Sequence, residues 1–241
     1  MLYEQQAKLE MEFWQYNMQK RPSWFGKATK GLQDKVNQWI PQKVHDGITA
    51  AIKQMVKGVL FGSTYTSPGK QDFTSLFDVE DAVRKRIVWY RNTAAAEGGI
   101  TGAGGFLLGL ADFPILLTMK LKLLFDIATY YGFDVKDYKE RLYILHIFQL
   151  AFSSQQHRQR VYEQIEDWNN KVKQLPEDSE SFDWLKFQQE YRDHIDLAKM
   201  AQLVPVIGAA VGVVVNYRLV NKLGDTAINA YRMRLAQKGD L

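Results

Sequence analysis

Four histidines, His45, His146, His157 and His194, are the first residues to test for chemistry. They are scattered, and none forms an HExxH pair or another spacing that would present two imidazoles to one metal ion. His146 lies in an apolar helical run and reads as a hydrogen-bonded core histidine rather than a base or ligand. The neighbouring carboxylates Asp193 and Asp196 lie on a solvated helical face, without a cleft to hold them as a general acid and base. The chain has no cysteine, which excludes thiol catalysis, disulfides and zinc–thiolate sites. No GxSxG nucleophile context is present. The glycine run after Gly98 lacks the Gly-Lys-Ser/Thr end of a phosphate-binding loop and follows a helical pattern instead of a strand. No catalytic residue, cofactor or metal site is assigned.

Asp112 is the most informative polar residue. It is the one charge in residues 98–119 (GGITGAGGFLLGLADFPILLTM), a stretch with six glycines in its first twelve positions. An acid in so apolar a run marks an ion, substrate or lipid-headgroup site if the run enters a bilayer. The Asp-Phe-Pro pattern also fits an N-cap for a helix beginning after Pro114, and this structural reading is favoured. In an enzyme, Asp112 would need Glu97 or His146 converging with it on a cavity.

A second apolar stretch, residues 200–217 (MAQLVPVIGAAVGVVVNY), carries no charge. Gly98 and Gly102, Gly105 and Gly109, and Gly208 and Gly212 are each four apart, the spacing that lets helix backbones touch. Glycine costs about 0.8–1 kcal/mol per residue in a helix relative to alanine, so a compensating close approach is expected, with the two stretches packed on one another. Both lengths are near those needed to cross a bilayer. Asp112, Pro114 and Pro205 make a simple span less favourable than a re-entrant or interfacial hairpin, or a helix pair buried in a soluble core.

The elements that must position these residues are helical throughout. Tyr3, Ala7, Met11, Trp14 and Met18 recur at spacings of three and four, as do Val44, Ile48, Ala51, Met55 and Val59 after Pro41. Asp78 is placed as the cap of a helix lined by Val79, Val83, Ile87 and Tyr90. Residues 114–131 and 141–152 are apolar nearly all round, with Gly132 as a stop. Ser181 reads as the cap of a further helix, and Gly224 as an interruption of the C-terminal one. The predicted fold is all-α, a single multi-helix domain over 1–241. Residues 1–60 form basic amphipathic N-terminal helices, and 79–241 a helical core with glycine-rich blocks 98–119 and 200–217.

The net charge of +4 and pI near 9.0 favour acidic partners. Eight Lys or Arg lie between Lys20 and Lys57 against Asp34 and Asp46, interleaved with Trp24, Phe25 and Trp39. Lys20, Arg21, Trp24, Lys27, Lys30 and Trp39 together suit an anionic lipid surface. No nucleic-acid module is visible. The N-terminus lacks the form of a secretory signal, so a cytoplasmic protein, peripheral to or hairpin-inserted at the inner face of the cell membrane, is expected.

The segments AGGFLLGLADFPILLTMKLKLLFDIATYYGFD, YKERLYILHIFQLAFSSQQHR and VPVIGAAVGVVVNYRLVNKLGDTA resemble blocks of the EcsC family, and the resemblance extends over essentially the whole chain. The positions it marks are Gly102, Gly105, Gly109, Asp112, Pro114, Gly132 and Asp134 in the first block. In the last they are Pro205, Gly208, Gly212, Asn216 and Gly224. The resemblance implies an accessory protein of a bacterial Ecs-type ABC transporter, with transporter subunits as partners and no established reaction. The alternatives are a soluble helical protein that binds or modifies a lipid in an apolar cavity, and a scaffold docking through a Trp-rich surface.

Overall fold

The structure is a computed structural model, and it describes residues 2–20, 42–61, 68–69, 72–101, 106–183, 187, 191, 195 and 208–241. Within these, residues 42–45, 60–61, 94–101, 106–112, 155–156 and 208–215 are described by backbone alone. The described residues form eight α-helices: α1 (Tyr3–Gln19), α2 (Gln42–Phe61), α3 (Leu76–Thr101), α4 (Phe106–Tyr130), α5 (Tyr138–Phe152), α6 (Gln155–Glu166), α7 (Trp168–Lys171) and α8 (Gly208–Lys238). Two 3₁₀ turns, Val172–Gln174 and Ser179–Ser181, follow α7. An isolated Ser153–Ile195 bridge is the extent of β-pairing among the described residues. The all-α expectation holds.

The apolar periodicity explains the packing. On α1, Ala7 and Met11 are buried, with Trp14 and Met18 packed beside the core. On α2, Ile48, Ile52, Met55, Val56 and Val59 point inward. The helix α5 is buried from Leu142 to Leu145 and from Ile147 to Phe152, so it runs through the middle of the core, as its all-round apolar character requires. Helices α2, α4, α6 and α8 pack against it, and α3 packs on α4 and α8. Glu80 meets Arg232, Ile87 lies against Gly224, and Arg91 reaches Asn221, so α3 and α8 are antiparallel along much of their length. Lys120 meets Asn216 and Tyr131 stacks on Tyr231, so α4 and α8 are parallel.

Helix ends follow local chemistry. At α3 the cap is Ser75, one residue before the helix, rather than Asp78. Ser75 Oγ accepts the Asp78 N–H at 3.2 Å, as an N-cap does, and donates to Asp78 Oδ2 at 2.8 Å. The hydroxyls of Thr74 and Ser75 hold the Asp78 carboxyl below its ordinary range. Gly132 ends α4 as expected. Its φ is +82°, and Gly132 N–H to Thr129 O and Phe133 N–H to Ala128 O, both 3.0 Å, close a Schellman motif. Gly239 closes α8 the same way, through Gly239 to Ala236 and Asp240 to Leu235.

Three further expectations are corrected. The helix α4 begins at Phe106 and runs through Asp112 and Pro114, so Asp112 is not the cap of a helix starting after Pro114. A proline interior to a helix forgoes one backbone bond, and Pro114 itself is exposed. Gly224 does not interrupt α8, which is continuous from Gly208 to Lys238. Ser181 ends a 3₁₀ turn capped by Asp178, and the Phe187 N–H donates to Asp183 O at 3.1 Å. None of the helices, over the described residues, is long and apolar enough to cross a membrane.

Candidate functional site

The polar chemistry of this protein is turned inward, and it centres on two arginines of α8. Arg232 and Arg234 are two residues apart, so on a helix they leave on nearly opposite sides. Arg232 goes to α3. Its Nε donates to Glu80 Oε1 and its Nη2 to Glu80 Oε2, both at 2.6 Å, a bidentate fork. Its Nη1 donates to Glu10 Oε2 at 2.8 Å, tying in α1. Glu80 is fully buried and also accepts from Tyr3 Oη at 2.6 Å, Tyr131 Oη at 3.1 Å and Arg84 Nη2 at 3.3 Å. One carboxylate thus gathers α1, α3, α4 and α8.

Arg234 goes to α5. It pairs with Glu140, which also accepts from Tyr231 Oη at 2.7 Å. The guanidinium lies over the rings of Phe133 and Tyr143, at 3.9 and 4.6 Å. Tyr131, bonded to Glu80, stacks on Tyr231, bonded to Glu140, with centroids 5.3 Å apart. The stacked pair joins the two clusters. A third buried carboxylate, Asp126 on α4, accepts from Arg86 Nε at 2.7 Å, Tyr90 Oη at 2.9 Å and Lys122 Nζ at 3.3 Å.

The electrostatics match this geometry. Burial works against the Arg232 charge, but the bonds and charges of Glu80 and Glu10 outweigh it and push its pKa up. Burial raises the Glu140 carboxyl, and Arg234 and Tyr231 offset only part of that. Tyr131 and Tyr231 are raised well above the usual tyrosine range by burial and by their carboxylate partners. Every one of these three carboxylates is surrounded by donors, so its lone pairs serve helix-to-helix bonds instead of a reacting proton.

A different arrangement lies nearer the glycine-rich ends of the helices. Lys120 on α4 and Asn216 on α8 are both buried, and Lys120 Nζ donates to Asn216 Oδ1 at 2.7 Å. A lysine is rarely so buried. Asn216 is among the positions marked by resemblance, whereas nothing in the sequence reading singled out Lys120; its place in the apolar run 115–125 was the available signal. Trp89, Ile115 and Tyr217 are 51%, 55% and 40% exposed. Arg86 covers Trp89 at 4.9 Å and Arg91 covers Tyr217 at 4.3 Å.

The other residues singled out by sequence are dispersed. Gly98 falls in the last turn of α3, Gly109 and Asp112 in the first two turns of α4, and Gly208 and Gly212 in the first two of α8. The Pro114 carbonyl accepts the Thr118 hydroxyl at 2.8 Å, and Asp134 accepts the Lys136 N–H at 2.9 Å. Lys20 folds over the Tyr16 ring at 4.3 Å. Gly102, Gly105, Pro205, Arg21, Trp24, Lys27, Lys30 and Trp39 lie outside the described residues. His146 is partly buried, 3.4 Å from Gln149 Oε1 and edge-on to Trp168 and Phe187, the core histidine expected. Among the described residues no group of His, Asp and Glu could hold a metal ion.

Fold and site together define an all-helical protein whose described helices are tied together by buried ion pairs. The chain belongs to the EcsC protein family, whose pattern matches residues 5–235. It is 43% identical over 226 residues to Protein EcsC of Bacillus subtilis (strain 168), covering 93% of each chain. It is 27% identical over 251 residues to the uncharacterized protein YdbA of the same strain, covering 95% of this chain and 91% of that one. No solved structure matches.

Proposed function

We propose that this protein is a membrane-associated accessory factor of an Ecs-type ABC transporter, acting by docking rather than by a reaction of its own. The observation that carries the reading is the family match over residues 5–235, together with 43% identity to Protein EcsC. The structure supports a docking role in two ways. The buried carboxylates Glu80, Asp126 and Glu140 are committed to holding helices together. On α3, α4 and α8 the side chains of Trp89, Ile115 and Tyr217 are exposed, with Arg86 over the Trp89 ring and Arg91 over the Tyr217 ring. Aromatic rings with a polar or cationic neighbour suit the headgroup layer of a membrane.

In this proposal the glycine-rich ends of α3, α4 and α8 approach one another closely, as Gly98, Gly102, Gly105, Gly109, Gly208 and Gly212 allow. The apolar end then rests on the inner face of the membrane, and the basic segment around Lys20 and Arg21 adds attraction to anionic lipid, about 1 kcal/mol per cation near the surface. Flotation with vesicles is the test. Binding to vesicles rich in anionic lipid at low salt, released at high salt and weakened by Trp89→Ala with Ile115→Ser, is the expected result. Equal recovery in the soluble fraction with and without vesicles would refute the membrane part.

A further inference from the structure

The helix α1 has two apolar faces, and only one of them is used. Ala7 and Met11 are buried, with Trp14 and Met18 beside them. On the opposite side Leu2, Leu9, Phe13 and Tyr16 are 69%, 55%, 65% and 58% exposed. At 100° per residue these four fall within about 60° of arc. They form one straight stripe along the helix. The stripe does not suit an anionic bilayer: residues 2–20 carry Glu4, Glu10 and Glu12 against Lys8 and Lys20, the reverse of the Lys/Arg-rich polar face of an interfacial helix.

We infer that this face pairs with α1 of a second copy of the chain, antiparallel, about a two-fold axis beside Leu9 and Glu10. Charge complementarity sets the register. Lys8 and Glu12 flank the stripe on the same side, and neither forms an ion pair within the described chain. Antiparallel pairing brings same-side positions together, so an axis at residue 10 sets Lys8 of one copy against Glu12 of the other, twice. Leu9 then packs near its own symmetry mate and Leu2 near Tyr16 of the other copy. Glu10 lies toward the other flank and is already held by Arg232. The four side chains present roughly 500 Å² per copy. Doubled, this reaches about 1,000 Å², the lower limit of a specific interface, so the dimer is a weak one, in the micromolar range. This inference is independent of the transporter proposal.

Because the chain has no cysteine, single cysteines report the geometry directly. Leu9→Cys is expected to give an intermolecular disulfide under mild oxidation. Tyr16→Cys is expected not to, since its mate lies about 18 Å away along the antiparallel pair. In sedimentation, Lys8→Glu should weaken self-association about tenfold, and Lys8→Glu with Glu12→Lys should restore it. Leu9→Glu with Phe13→Glu should be monomeric with an unchanged urea midpoint, since both sites are exposed. A wild-type chain that stays monomeric at about 100 µM, well above a micromolar Kd, would overturn the inference. So would equal cross-linking at positions 9 and 16, or loss of vesicle binding in the Leu9→Glu/Phe13→Glu variant of a monomeric chain, which would assign the stripe to lipid.

Discussion

Glu80 shows how one side chain can determine where four helices sit. Its two oxygens accept from Arg232, Tyr3, Tyr131 and Arg84 while it is wholly buried. Removing its charge leaves Arg232 buried with Glu10 alone. Glu80→Gln is therefore expected to lower the unfolding free energy by about 3–5 kcal/mol. Glu80→Gln with Arg232→Met should lose less, because no orphan charge remains. By contrast, Lys85→Ala breaks an exposed i,i+4 pair with Asp81 and should change the urea midpoint little, by under about 0.5 kcal/mol. The tyrosines give a pH test. Tyr131, Tyr191 and Tyr231 are raised well above 10, and Tyr162 to about 12, in each case chiefly by burial. A raised folded pKa favours the native state fully below the unfolded value near 10, and that advantage is lost as pH climbs through the folded value. The share of the tyrosine absorbance that belongs to these buried rings should therefore rise at alkaline pH together with loss of helical circular dichroism. Ionisation of Tyr131, Tyr162, Tyr191 and Tyr231 in a chain that stays folded would contradict their burial.

At the scale of the element, the contact of α3 with α8 depends on Gly224. A Cβ there would lie 2.5 Å from Ile87 Cδ1, 2.8 Å from Cγ1 and 3.2 Å from Cγ2. The last two are branch atoms of a side chain with one preferred rotamer in a helix, so they cannot swing away cheaply. Alanine gains up to about 1 kcal/mol of helix propensity over glycine, against an overpacking cost of about 1–3 kcal/mol. Gly224→Ala should be net destabilising by about 1 kcal/mol in thermal or urea unfolding, and Gly224→Ala with Ile87→Val should recover part of that. Gly132→Ala should also destabilise, here by about 1–2 kcal/mol through backbone strain at φ +82°. These positions show why the elements were partly legible in sequence. Helices such as α1, α2 and α5 follow from spacing alone, because their apolar residues recur every three or four positions. The stop at Gly132 follows from the αL geometry that only glycine takes easily. Gly224 misled because glycine lowers helix propensity in isolation, while in the folded chain the close approach of Ile87 more than compensates. Asp112 misled in the same way, since Asp-Phe-Pro is good capping chemistry but α4 had already begun at Phe106.

At the scale of the whole molecule, the buried ion pairs were the least legible part. Glu80 and Arg232 are 152 residues apart in sequence and Glu140 and Arg234 are 94 apart, so no local pattern connects them. The close placement of Arg232 and Arg234 in an otherwise core-facing stretch of α8 was the one available hint. Asn216 was marked by resemblance, and the structure supplies its partner, Lys120. Among the described residues, those the fold leaves outward and apolar include the stripe of α1 and the side chains of Trp89, Ile115 and Tyr217. The proposed division of labour is self-pairing at the first and membrane or transporter contact at the second.

The central claim, docking at an Ecs-type transporter, is tested most directly by isolating the tagged chain from its own cells after mild detergent extraction and identifying the proteins that accompany it. The account predicts enrichment of the ATPase and membrane subunits of the transporter, reduced by Trp89→Ala with Ile115→Ser and unaffected by Leu9→Glu with Phe13→Glu. A chain recovered free of both subunits, with the membranes left behind, would contradict it.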